Sequence, residues 1–457
     1  MAFIRKIKKG NAIYLAKVES YREDGKVKQR VLEYIGKEVE GVAVEKIDIN
    51  KVEANSVLHY GDVSVLYQLC IQLKLNYLFG KQYKLIITLL IAHIVCKGSI
   101  VKIFDWIKKS AILNIVDLSK LTMDDLYDTL DYLDELDFNF IEQQLYKNWS
   151  AIAPKDCHSY VLDVTDTYYN GKHDKSSLRK GKDGKVSKLV QIGMAVSFDN
   201  GFPIMHKKYA GNISNIKILE DLLGKMAERG IKSIVLDRGF FSEQNVTDLK
   251  KLGIEMIVGV KQSIGIKNKI LSQIDRDKIY TKKNLIHLKN TVVYGQEVDY
   301  LFGKLIIIYN PKYETLKKDK MLLEGATDSE VKYVGYSLLF HNTKMTISTI
   351  VTKYFDKDIV ERSFKTMKSD VQLHPIRNWL PQRIEAHIKI CYLAMCLLSY
   401  MKFRCAKLEL SSTEILTTLE GIYKINLVHS NSKKSFTKVV TQSNKQIAIL
   451  KKLKCSV

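Results

Sequence analysis

The sequence predicts an α/β protein built on a mixed sheet flanked by helices, and three observations carry the prediction. First, SYVLDVTDTYY, KLVQIGMAVSF and FPIMHKKYA, between residues 158 and 210, are consecutive β-rich runs, and a DNG turn at 199–201 joins the second to the third. Second, the next β-rich runs, SIVLDRGF and IEMIVGV, each follow a helical stretch, which gives two β-units with helical crossovers. Third, two long apolar runs, LIITLLIAHIVC at 85–96 and ICYLAMCLLSYM at 390–401, fall short of the roughly 20 residues that cross a bilayer, so they are expected as buried core helices. With 457 residues and 46% hydrophobic content, the chain can bury a large core and is long enough for two to four domains.

Taken in order, residues 1–55 are expected as a basic β module. Its first 37 residues hold ten Lys and Arg against four Asp and Glu, with a REDGKV turn between alternating strands. That stretch is either a DNA-binding arm or a solvated hairpin. Residues 56–150 turn helical, a region for DNA binding or dimerisation. Within it LTMDDLYDTLDYLDELDFNFIEQQL reads as one amphipathic acidic helix, with leucines at 126, 130, 133 and 136 and the acids on a solvated or partner-facing side. The core occupies 151–261, where Ser242 is expected to cap the second crossover helix and Gly253 to end it. A β-rich, lysine-rich insertion spans 262–345, the core resumes over 346–403, and a small helical or mixed segment closes 404–457. Five prolines and no repeat or low-complexity tract leave the boundaries weakly marked.

A net charge of +22 favours a polyanionic partner, nucleic acid ahead of a membrane surface. The amino terminus lacks the unbroken apolar centre of an export signal, and a cytoplasmic protein is expected. Seven cysteines without a C-x-x-C pair indicate neither a zinc module nor a disulfide framework. Cys391 and Cys396 are expected in the core, and His387, beside Arg383 and Glu385, as a locally hydrogen-bonded side chain and not a ligand. The loop at 171–188 carries seven cations, Lys180 among them, against two anions; it contacts DNA backbone or is a solvated loop that orders on binding. Asn212 either lines the site or forms a turn.

Asp163 in YVLDVT and Asp237 at the end of SIVLDRG lie inside or just past apolar strands, where an ionised carboxylate costs several kcal/mol unless paired or metal-bound. In open α/β sheets, sites form beyond strand carboxyl ends, so two such aspartates on neighbouring strands can converge. Asp166 is a rival or helper at the first position; Asp163 is preferred because it sits within the apolar run. A third acid comes from YFDKDIVERSFKTMK at 354–368. At about 100° per residue, Tyr354, Lys357, Glu361 and Lys368 fall within roughly 60° on one helix face, beside an apolar stripe of Val360, Phe364 and Met367. Three carboxylates suit hard cations such as Mg²⁺ or Mn²⁺, and two such ions support in-line displacement at phosphorus. No nucleotide-binding phosphate loop is present, and that chemistry needs no nucleotide cofactor.

These residues, with VESYREDGKVKQRVLEYIGK, YAGNISNIKIL, VLDRGFFSEQN and RIEAHIKICYLAM in order, resemble the DDE transposases of bacterial insertion sequences. The resemblance is to the branch with a Y-x2-R-x3-E-x6-K signature, in which Lys357 stands where the signature has arginine. It implies a ribonuclease-H-like core and Asp163, Asp237 and Glu361 as catalytic metal ligands for Mg²⁺ or Mn²⁺, two ions per site. Tyr354, Lys357, Lys368, Arg238 and Lys180 are expected to hold DNA phosphates. The implied activity is cleavage at terminal inverted repeats and transfer of 3′-hydroxyl ends to double-stranded target DNA, by a homodimer at the bacterial nucleoid. The alternatives are a purely hydrolytic nuclease and a catalytically limited DNA-binding derivative acting as repressor or architectural protein.

Overall fold

The computed structural model describes residues 2–10, 12–39, 42–44, 52–118, 120–153, 159–169, 178–180, 184, 186–261, 265–373, 376–378, 380–430 and 434–457. The chain divides into two compact units, one of residues 1–58 with 422–441 and one of 59–421 with 442–457.

In the smaller unit, strands β1 (Ala2–Lys9), β2 (Ala12–Glu23), β3 (Lys26–Val39) and β4 (Val42–Val44) form an antiparallel sheet in chain order. The REDGKV segment makes its expected turn. Asp24 and Gly25 both take left-handed backbone, at φ 51° and 72°, the two-residue geometry that matches strand twist. β5 (Val52–His59) belongs to a second sheet, completed much later in the chain.

The larger unit opens with helices α1 (Gly61–Gln72), α2 (Tyr83–Cys96), α3 (Ile100–Lys108), α4 (Ile112–Val116), α5 (Met123–Glu135) and α6 (Phe138–Ser150). The acidic segment expected as one helix is two, α5 and α6. Asp137 breaks it by accepting from the Phe140 N–H and capping the second, a bond that competes with helix continuation. Nor are its acids all solvated, since Asp131 is gripped by both nitrogens of Arg383 at 2.9 and 2.7 Å.

Next come β6 (Ser159–Tyr168), β7 (Leu178–Lys180), β8 (Val186–Ser197), β9 (Pro203–Ala210), α7 (Asn215–Glu228), β10 (Ser233–Leu236), α8 (Glu243–Lys251) and β11 (Glu255–Val260). Ser242 caps α8, and Gly253 follows it at φ 68°. β6, β8 and β9 pair antiparallel, while β10 runs parallel to β6 and β11 parallel to β10. The order β9-β8-β6-β10-β11 with these directions is ribonuclease-H-like.

The stretch from 262 to 345 contributes helices as well as strands: α9 (Gly265–Leu271), α10 (Arg276–Ile279), β12 (Leu285–His287), β13 (Val292–Tyr300), β14 (Gly303–Tyr309), α11 (Pro311–Leu323), α12 (Asp328–Val331) and β15 (Tyr336–His341). Its strands continue the core sheet, because β15 pairs antiparallel with β11 and β14 with β15. Ten strands among the described residues thus share one sheet.

The chain then forms α13 (Ile347–Phe355), α14 (Asp358–Ser369), α15 (Pro381–Arg404) and α16 (Ser412–Glu420). It ends with β16 (Tyr423–His429), β17 (Ser435–Val439) and α17 (Asn444–Leu453), the hairpin β16–β17 lying beside β5. α15 is long and apolar enough to cross a membrane, yet nearly all of its apolar span is buried against protein. Such all-round burial is what an evenly hydrophobic helix requires. Trp149 of α6 seals this side, stacked on Phe202 with ring centres 4.4 Å apart.

Candidate active site

The parallel register sets the geometry. Leu162, Leu236 and Val258 are aligned partners across β6, β10 and β11, and all three point into the core beneath α7 and α8. Side chains alternate along strands, so the next row, Asp163, Asp237 and Gly259, belongs to the opposite face. That face carries α13 and α14: Ser159 of β6 accepts from Lys353 Nζ at 2.8 Å, and Thr167 donates to Leu373 O, just past α14, at 3.1 Å. Asp166, three residues from Asp163, falls on the other face by the same alternation. Asp163 is half-buried, with its Oδ1 accepting from the Val164 N–H at 2.7 Å.

The segment expected as one helix from 354 to 368 is two. α13 ends at Phe355, and Lys357 is the N-cap of α14, after a tight turn in which the Lys357 N–H reaches Tyr354 O. This turn lets Tyr354 and Lys357 both reach Asp237. The Tyr354 hydroxyl sits where a side chain on residue 259 would be: a Cβ there would lie 2.3 Å from it and 3.1 Å from Cβ of Arg238. Gly259 therefore leaves the room that the Tyr354 hydroxyl fills beside the candidate site, and sequence reasoning missed it. The available signal was a glycine inside the apolar strand EMIVGV, which marks close approach of another group.

Lys357 Nζ donates to Asp237 Oδ1 at 3.0 Å. Burial pushes the Asp237 carboxyl up, but the Lys357 ammonium and its hydrogen bond outweigh this and hold it below the usual range. Burial pushes the Tyr354 phenol well up, and the Asp237 charge adds to the effect, so it stays protonated and able to donate. Glu361 is exposed in the first turn of α14, one turn beyond Lys357, an axial rise of about 6 Å. Val360, Phe364 and Met367 are buried as the apolar stripe requires.

Of the other expected phosphate contacts, Arg238 is exposed next to Asp237, and Lys368 is half-buried in the last turn of α14. Lys180 ends β7, and its side chain lies outside the described residues, as does most of the 171–188 loop. The three acids offer only oxygen donors, the set that suits a hard divalent cation, and the Lys357 ammonium already places positive charge on Asp237. Among the described residues, the one group of three His, Cys, Asp or Glu side chains whose ligand atoms lie within 4.8 Å of one another is elsewhere, at His93, His387 and Cys391.

Comparison with known proteins bears on the same stretch. The family described as the transposase DDE domain matches residues 159–397, and that of the N-terminal domain of IS1634 family transposases matches residues 4–48. No curated protein matches the chain. Among solved structures, a cryo-EM structure of a piggyBac transposase synaptic complex with hairpin DNA aligns at 10% identity. The alignment covers 78% of this chain and 75% of that one, with a TM-score of 0.45.

Proposed function

Since this chain belongs to the transposases with a DDE domain, we propose that Asp163, Asp237 and Glu361 are its catalytic carboxylates and that it cuts insertion-sequence ends and joins their 3′-hydroxyls to target DNA. One observation supports the residue assignment above the rest: Asp163 and Asp237 occupy the same row, one residue past aligned leucines, on the sheet face that α13 and α14 cover. Two Mg²⁺ or Mn²⁺ ions held by the three acids would activate the attacking water or 3′-hydroxyl and offset charge on the leaving oxygen. The chain's own part is to keep Asp237 ionised and the DNA in line. Lys357 keeps Asp237 deprotonated in the free protein. Once Asp237 is engaged elsewhere, Lys357 is released to bind a phosphate next to the scissile bond. Tyr354 donates from a fixed position over Gly259. Arg238, Lys368 and Lys180 hold backbone phosphates further along, contacts that position DNA without reading its sequence.

In this reading the basic N-terminal module and the helical region bind the element's ends, two copies pair them, and the work is done at the bacterial nucleoid without a nucleotide cofactor. The test is a cleavage and strand-transfer assay on DNA flanking the protein's own reading frame, with and without Mg²⁺, beside Glu361→Gln. Metal-dependent cutting and joining that the substitution abolishes is the expected result. Cutting without joining would make the protein a hydrolytic nuclease, and end-binding without cutting would make it a repressor or architectural factor.

A further inference from the structure

The chain carries a second cluster of ligating side chains, remote in chemistry from the carboxylates. His93 comes from α2, and His387 and Cys391 are four residues apart on α15 and so share one helix face. All three are buried. Cys391 Sγ lies 3.5 Å from His93 Nε2 and 3.6 Å from His387 Nε2, and the two imidazoles meet edge to face with ring centres 5.2 Å apart. A zinc ion with bonds of about 2.3 Å to sulfur and 2.0–2.1 Å to nitrogen, at tetrahedral angles, separates its S and N ligands by about 3.6 Å. Both sulfur–nitrogen separations already match that value.

We propose that His93, His387 and Cys391 form a zinc site joining α2 to α15, with the fourth ligand position taken by water. A cavity of about 80 Å³, lined by both histidines with Ser99, Gln372, Arg377 and Asn378, borders the cluster and has room for that water. It also holds an unmet polar atom, since Gln372 Oε1 is buried without a hydrogen-bond partner. His93 Nε2 now lies 2.6 Å from Val371 O. That is shorter than the roughly 3.4 Å between nitrogen and oxygen ligands on one tetrahedral zinc. Loading therefore moves the ring proton to Nδ1 and shifts Val371 O aside, while the Cys391 thiol gives up one proton to solvent. Thiolate and imidazole are softer donors than the carboxylates, so the two sites sort zinc from Mg²⁺ by chemistry. Sequence alone marks Cys391 as core and His387 as a locally hydrogen-bonded side chain, because the third member, His93, lies 298 residues from Cys391.

The test uses the full chain, freed of metal with a chelator and titrated with Co²⁺. The expected result is a thiolate-to-cobalt charge-transfer band with the visible bands of tetrahedral cobalt. These should saturate at one equivalent, disappear when Zn²⁺ is added and be indifferent to excess Mg²⁺. Cobalt on the carboxylates gives no thiolate band, so it cannot imitate this outcome. Cys391→Ser should abolish the band and Cys396→Ser, on the same buried helix, should keep it. A folded wild-type chain that shows no thiolate band overturns the proposal without reference to any variant, and so does a band that survives Cys391→Ser.

Discussion

The Lys357–Asp237 pair controls the charge of one candidate catalytic acid. Lys357→Met leaves Asp237 half-buried without its cation, so its pKa rises, and the acid limb of the cleavage pH profile should move to higher pH. Because the native pKa is depressed, the pair's contribution to stability is present above the unfolded-state value, about 3.9, and is lost as pH falls through the native one. Urea unfolding at neutral pH should show a deficit of about 1 kcal/mol or less for the variant, since Asp237 is open enough for water to screen the pair. That deficit should shrink as the solution is acidified; a constant deficit would mean that Lys357 contributes by packing. At this scale the sequence marked candidates: an acid within an apolar run singled out Asp163 over Asp166, and an acid ending an apolar strand flagged Asp237, each as a carboxylate that needs a partner. What the sequence hid was the turn at Asp356 and Lys357, because the spacing from Tyr354 to Lys357 fits a continuous helix as well as two helices joined end to end.

Among elements, a buried joint fastens the edge strand β9, on the sheet face that Asp163 shares. Glu142 of α6 is buried and accepts from the His206 backbone N–H at 2.7 Å; His206 Nδ1 is 2.6 Å from the same oxygen, and Arg229 Nη2 donates to the other at 2.6 Å. The carboxylate thus fastens α6 to β9 and to the end of α7. Removing one partner of a buried pair strands the other charge, so Glu142→Ala should lower unfolding free energy by about 3–5 kcal/mol, measured with urea. A loss below about 1 kcal/mol would show that water replaces the carboxylate. The sequence could not reveal this joint, because its members are separated by 64 and 87 positions. The same limit hid the attachment of β15 to β11. Strand character in 262–345 was readable from composition, but edge pairing depends on residues far apart in the chain.

At the level of the whole molecule, the charge of +22 makes DNA affinity a function of salt. With 6–10 phosphates neutralised, binding should weaken by about 10³–10⁵ between roughly 50 and 200 mM salt. Glu361→Gln should keep that slope while losing cleavage, and a flat salt response in fluorescence anisotropy would rule out a phosphate-dominated interface. β5, close to the start of the chain, is completed by the hairpin β16–β17 close to its other end. Residues 59–421 are synthesised between these strands, so β5 waits with an unpaired edge while the bulk of the larger unit emerges. Of the two sheets in the smaller unit, that of β1–β4 can close as soon as it is made, whereas the sheet of β5 is completed only after residues 59–421 have left the ribosome.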